Sequence, residues 1–154
     1  MNNRNSRNNR KKYINHKNNK EYTYKIIYKY INRINQMKVI EINSFQEYIN
    51  FMNDNNHIVL NVSAKWCKPC MTIKNEIDTY IKNVNIKNFI FGKIDFDIIN
   101  ENDEFNNYLT IKKIPYFCII KNKNIDSEIV SSKMKEIIEF IDNNIDNFEL
   151  NDDF

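Results

Sequence analysis

The chain has 154 residues, of which 42% are hydrophobic, enough for one domain with a buried core and an additional segment. Its three cysteines (Cys67, Cys70 and Cys118) are too few for a disulfide scaffold, and no stretch approaches the roughly 20 apolar residues of a membrane span. The formal net charge of +3 hides an asymmetry, because residues 1–36 total +9 whereas residues 37–154 carry 13 basic and 19 acidic side chains, a total of −6.

Residues 1–36 are predicted to form a basic, Asn-rich extension. Residues 1–21 have little to bury and are expected to be disordered. Residues 22–34 place Tyr24, Ile27 and Ile31 at helical spacing, which indicates a basic amphipathic helix. Three interpretations stay open: a solvated tail, an organelle-targeting segment, or a patch for membrane or nucleic acid. The segment lacks the apolar centre of a secretory signal, so we expect a cytoplasmic or mitochondrial (organellar) protein in a reducing compartment.

The pattern of a packed domain begins at residue 37. Residues 37–42 alternate as in a strand, and Ser44 suits the N-cap of a helix with Phe45, Tyr48 and Met52 on one face. Residues 57–64 are almost continuously apolar, which is typical of a strand buried on both faces of a sheet.

The second half of the domain continues the alternation of strands and helices. A helix is predicted after residue 70, a strand at 89–97, a short helix at 98–109, two strands at 114–122 and 127–132 with a turn at 121–126, and a last helix from Met134 to Phe148. The predicted order is β-α-β-α-β-α-β-β-α, a mixed α/β domain at 37–150 followed by an acidic tail at 151–154.

The stretch "KWCKPC", residues 65–70, joins a buried strand to a helix. Cys67 would lie at the helix N-terminus, where unpaired N–H groups and the helix dipole stabilise a thiolate, and Lys68 adds positive charge. Cys70, one turn later, could attack a mixed disulfide, and Pro69 is tolerated in the first turn. Two alternatives remain: incidental thiols, or half of a metal site. A zinc site needs four ligands, and Cys118 and His57 are not suitably spaced, so no metal is expected.

Residues from about Met37 to Leu150 resemble a thioredoxin. "WCKPC" matches the family's active site, "KIDFD" at 93–97 resembles its third strand, and "KKIPYFCIIKN" at 112–122 resembles the segment in which an Ile precedes a cis-proline. The resemblance implies a central mixed sheet flanked by helices. It also implies that Cys67 is the nucleophile and Cys70 the resolving thiol, that Trp66 shields the pair, and that Ile114 and Pro115 bind substrate backbone.

Three positions depart from the family pattern. Asn61 stands where thioredoxins usually have a buried Asp that assists deprotonation of the resolving cysteine, which leaves Lys93 without its usual partner. Lys112 and Lys113 precede the proline, and the pair at 131–132 is Ser-Ser where the family has a groove-lining Gly. These changes bear on substrate range rather than on the fold.

The resemblance implies a protein disulfide reductase that needs no bound cofactor. Its partners would be protein disulfides and a thioredoxin reductase or glutathione system as electron donor, with no nucleic acid, and a monomer is expected. Pro69 favours the reducing end of the superfamily. The alternatives are a disulfide isomerase or oxidant on the same fold, or a non-catalytic interaction module that docks an acidic partner through its basic face.

Overall fold

The computed structural model describes residues 37–84, 86 and 88–149, with side chains through residue 145, and also residues 23, 26 and 27. The chain divides into two compact units, Met1–Asn35 and Gln36–Phe154. In the first unit the three described residues are helical, and Ile26 and Ile27 are exposed. The rest of the predicted extension, the side chain of Phe148 and the predicted tail at 151–154 lie outside the described residues.

The second unit is built on a five-stranded mixed sheet. The elements in chain order are β1 Lys38–Ile42, α1 Phe45–Asp54, β2 His57–Ser63, α2 Lys68–Asn83, β3 Ile90–Asp95, α3 Phe96–Asn100, a 3₁₀ helix Asp103–Asn107, β4 Tyr116–Lys121, β5 Asn124–Val130 and α4 Met134–Glu149. The strand order is β1-β3-β2-β4-β5; β1, β3 and β2 are mutually parallel, and β4 and β5 are antiparallel to their neighbours. The predicted fold class and element order are confirmed.

The core lies on both faces of the sheet. Successive side chains of a strand point to opposite faces, so Ile58, Leu60 and Val62 of β2 pack on the side of α1, whereas Val59 packs on the side of α2 and α4. Asn61 and Ser131 are the buried polar residues among those described. Because Asn61 alternates with Leu60 and Val62, it shares the face of Val59 and α2.

Local capping explains where two of the helices begin. The Ser44 hydroxyl accepts a hydrogen bond from the Glu47 N–H at 3.1 Å, which satisfies a free donor at the start of α1. In α2, Cys67 is the N-cap and Pro69 lies in the first turn, where a missing N–H costs nothing. Within the described residues, no helix is long and apolar enough to cross a membrane.

Two predicted boundaries were wrong. Strand β3 ends at Asp95, because the Asp95 carboxylate caps α3 by accepting a hydrogen bond from the Asp97 N–H at 3.0 Å. The single helix predicted at 98–109 is instead the short helix α3 followed by the 3₁₀ helix, whose own N-cap is Asn102.

The hairpin between β4 and β5 is also tighter than predicted. Its two central residues are Asn122 and Lys123, with φ of 50° and 68°, whereas Asn124 already belongs to β5. Positive φ at both positions is the geometry of two-residue hairpin turns, and Asn adopts it more readily than most residues. β5 consequently begins before the predicted residue 127, and Ser131 and Ser132 fall outside it.

Candidate active site

Cys67 and Cys70 lie where β2 passes into α2. They form a disulfide with each other, with a Cα–Cα distance of 5.3 Å. The chain turns after β2 through Ala64, whose carbonyl accepts a hydrogen bond from the Cys67 N–H at 3.1 Å. This turn places Cys67 at the N-cap and Cys70 one turn inside the helix.

The surroundings of Cys67 favour negative charge on its sulfur. The Cys70 N–H donates a hydrogen bond to Cys67 Sγ at 3.2 Å. The free N–H groups and the dipole of a 16-residue helix also point toward this position. Lys68, the first residue of α2, is exposed and adds a positive charge. In the reduced protein these features stabilise the Cys67 thiolate, the form that attacks disulfides.

The disulfide is almost completely covered by its neighbours. Cys67 and Cys70 are 5% and 4% exposed, and with Ala64 they form a small cluster against which Phe96 and Ile114 pack. The Ile114–Pro115 peptide bond is cis. The contact of Ile114 with the cluster brings the loop before β4 to the cysteines, although the two segments are far apart in the chain.

Trp66 lies at the edge of the site and is 63% exposed. Its indole Nε1–H donates to both carboxylate oxygens of Asp97, at 2.9 and 3.1 Å, and its ring meets that of Phe96 edge-on. This contact between Asp97 and Trp66 was not predicted from the sequence. The available signal was the position of Asp97 just after β3, because β3 lies next in the sheet to β2, the strand that precedes the cysteines.

Asn61 and Lys93 line a cleft of ≈ 180 Å³ that also contains Cys70 and Pro115. Asn61 is 5% exposed, and its Nδ2 donates to the Tyr116 carbonyl at 3.3 Å. The two side chains occupy paired positions on β2 and β3. The amide at 61 therefore links β2 to β4 but offers no group that can accept a proton at neutral pH.

The ammonium group of Lys93 is held by a residue that the sequence did not indicate. Its Nζ donates to Asp78 Oδ1 on α2 at 2.6 Å and lies 3.8 Å from Glu41 Oε1 on β1. The lysine is 20% exposed and Asp78 33%, so this is a partly shielded ion pair. Asp78 lies eight residues after Cys70 in α2, which is about 12 Å along the helix axis. The carboxylate that binds Lys93 is therefore distant from the Cys70 thiol.

Cys118 and Ser131 have structural surroundings. Cys118 is 0% exposed in β4, and burial raises the pKa of its thiol to about 12, which keeps it protonated. The Ser131 hydroxyl donates to Glu136 Oε2 at 2.7 Å and accepts from the Lys133 N–H at 3.0 Å. Ser131 therefore links the segment before α4 to Glu136 in the first turn of that helix.

The fold and the site define a domain of the Cys-x-x-Cys class, with a disulfide between two cysteines one helical turn apart at a helix N-terminus. The thioredoxin family model matches residues 36–143. The chain therefore belongs to the thioredoxin family, and the predicted family is confirmed.

Known relatives and solved structures agree with this assignment. The chain is 32% identical to thioredoxin of Neurospora crassa over 85 residues, which is 54% of this chain and 65% of that protein. It is 29% identical to monothiol glutaredoxin-4 of Saccharomyces cerevisiae over 109 residues, 69% of this chain and 43% of that protein. It thus spans less than two thirds of either relative.

Among solved structures, the crystal structure of Schistosoma mansoni thioredoxin is similar, with a TM-score of 0.58, 25% identity, and coverage of 69% of this chain and 94% of that one. The solution structure of oxidised Plasmodium falciparum thioredoxin shares the fold, with a TM-score of 0.57, 22% identity, and coverage of 71% and 98%.

Proposed function

We propose that this domain reduces protein disulfides by dithiol–disulfide exchange through Cys67 and Cys70. The observation that carries the proposal is the position of the two cysteines. Cys67 is the N-cap of α2, where its Sγ accepts a hydrogen bond from the Cys70 N–H, and Cys70 lies one turn inside the helix. A thiolate nucleophile and an adjacent second thiol are the two groups that this reaction needs.

The reaction consists of two exchange steps. The Cys67 thiolate attacks one sulfur of the substrate disulfide; a Cys67–substrate bond forms, the substrate S–S bond breaks, and the second substrate sulfur leaves as a thiolate that takes up a proton. Cys70 then loses its proton and attacks Cys67 Sγ, which forms the intramolecular disulfide and releases the first substrate sulfur as a thiol. Two electrons pass to the substrate, and an external dithiol or thiol donor reduces Cys67–Cys70 again.

The remaining predicted site residues take supporting roles in the proposal. The loop of Ile114 and Pro115 would bind the extended substrate backbone, since Ile114 packs against the cysteines. Lys68 and Pro69 define the first turn of α2, and Trp66 forms an exposed apolar edge fixed by Asp97. Because Asn61 cannot accept a proton, we propose that the proton of Cys70 leaves to water in the cleft beside Lys93.

The electron donor would be a thioredoxin reductase or the glutathione system, in a reducing compartment. Both oxidants and isomerases use the same pair of thiols, so the reduction potential separates them from a reductase. The interaction-module alternative differs in that its binding would not require the thiols at all.

Cysteine variants test the exchange reaction directly. Reduced wild type should cleave a disulfide-linked peptide, C67S should lose the reaction, and C70S should accumulate a mixed disulfide through Cys67 that mass spectrometry detects. C118A is the matched control, because its thiol is buried outside the site, and it should retain the reaction. Unchanged cleavage by C67S, or partner binding that is indifferent to both substitutions, would contradict the proposal.

A further inference from the structure

Exposed lysines surround the disulfide on both of the chain segments that contact it. Two of them are within two residues of Cys67, in or after the turn that follows β2, and two are within two residues of Ile114, in the loop before Pro115. Cys67 and Ile114 pack in one cluster, so both pairs of lysines flank the same site. We call these four the lysine rim: Lys65, Lys68, Lys112 and Lys113.

The lysine rim has no ion-pair partner in the part of the chain that the structure describes. Lys93, Lys121, Lys133 and Lys135 all have a carboxylate within 4.0 Å, but no rim lysine forms such an ion pair with any residue that the structure describes. The carboxylates at the site are Asp97, bound to Trp66, and Asp95, which caps α3. The adjoining cleft adds two acids and two lysines: Asp78 and Glu41, which both lie within 4.0 Å of Lys93, and Lys74. Six lysines against four acids leave an excess of positive charge, and the N-terminus of α2 adds to it.

This local charge is opposite to that of the surrounding domain. Residues 37–154 total −6, yet four of their 13 basic side chains flank one small cluster. Cys67 is only 5% exposed, so a substrate must bring its disulfide into close contact with the surface around the sulfur. Charges next to the substrate cysteines would then lie within the Debye length of the rim, about 8 Å at physiological ionic strength.

We propose that the lysine rim selects disulfides flanked by acidic residues, so that the partner is a protein whose exposed cystine lies in an acidic segment. The inference rests on the proposed exchange activity and names its substrate class. Attraction between the rim and the substrate would act chiefly on the rate of association, which complementary charge raises by about 10- to 1,000-fold at low salt. A basic segment would be repelled by the same charges.

A set of disulfide-linked peptides tests the selection. The peptides share one length and differ only in whether Glu, Gln or Lys flanks the cysteines. Pre-reduced wild type is mixed with each, and the second-order rate constant is divided by that for dithiothreitol, which corrects for the intrinsic reactivity of each disulfide. At about 0.01 M ionic strength the Glu peptide should react about tenfold or more faster than the Lys peptide, and at about 1 M the two rates should converge.

Two variants assign the effect to the lysine rim. Replacing its four lysines with Gln should reduce the Glu-to-Lys rate ratio to about one. The control replaces four exposed lysines outside the rim with Gln and should preserve the ratio: Lys38, Lys82, Lys123 and Lys135. Equal rates for all peptides with wild type, or an unchanged ratio in the rim variant, would overturn the charge selection alone. Failure of wild type to cleave any peptide would overturn the exchange activity and this inference with it.

Discussion

Replacing Asn61 with Asp would restore the carboxylate that the family usually has, at a position that is now 5% exposed. Burial disfavours the charged form of a carboxyl group, so we expect the pKa of Asp at this position to rise above its unfolded value of about 3.9. Lys93 occupies the paired position on β3 but its ammonium is bound to Asp78, so it offsets little of this cost.

The magnitude follows from the pKa shift. Full burial raises a carboxyl pKa by up to about 3–5 units. Because position 61 borders a cleft and Lys93, we take a rise of about 2–3 units for the new carboxyl group in N61D. At about 1.36 kcal/mol per unit, the loss of stability at neutral pH is about 3–4 kcal/mol. Well below the unfolded pKa of about 3.9 both folded and unfolded states are protonated and this loss vanishes; it grows as the pH rises from there to the raised folded pKa, and then stays constant.

Urea unfolding of N61D and wild type between pH 4 and pH 8 measures this difference. N75D is the matched control, because Asn75 is exposed on α2, and its effect should hardly vary with pH. Adding D78N to N61D should free Lys93 for the new carboxylate and recover roughly 1 kcal/mol at pH 8. An N61D penalty of equal size at pH 4 and pH 8 would refute the buried environment inferred for this position.

Three further predictions concern packing, capping and thiol reactivity. A Cβ at Gly92 would lie 2.8 Å from a ring atom of Phe51, so G92A should lower stability in urea unfolding by about 1–2 kcal/mol, and the penalty should shrink in an F51L background. S44A should lower stability by about 1 kcal/mol because α1 loses its N-cap, and a change below the error of the unfolding curves would contradict that role. In the reduced folded protein iodoacetamide should label Cys67 but not Cys118, whose buried thiol has a pKa of about 12; equal labelling by mass spectrometry would contradict its burial.

Much of the fold was predictable because apolar periodicity reports burial directly. The continuous apolar run of β2 and the stripe of Ile73, Ile77 and Ile81 on α2 identified elements whose burial the structure confirms. The position of Cys67 at a strand–helix junction followed from these same two elements. The family prediction needed the match of the segment at 112–122 as well.

The features that were missed depend on contacts between distant segments or on competing local hydrogen bonds. Asp78 binds Lys93 across the space between α2 and β3, and neither residue's neighbours in the sequence indicate the other. Strand β3 ends at Asp95 because the carboxylate of this residue caps α3. The alternation of apolar and polar residues alone does not show whether such a residue continues a strand or caps a helix. Lys123 adopts positive φ because the two-residue turn requires it, against its intrinsic preference.

The reduction potential of the Cys67–Cys70 pair, measured by equilibration against glutathione at pH 7, tests the central claim most directly. A reductant of the thioredoxin type predicts a value near about −270 mV. A value between about −180 and −120 mV, the range of isomerases and oxidants, or the absence of any intramolecular disulfide at equilibrium, would contradict the proposed reductase function.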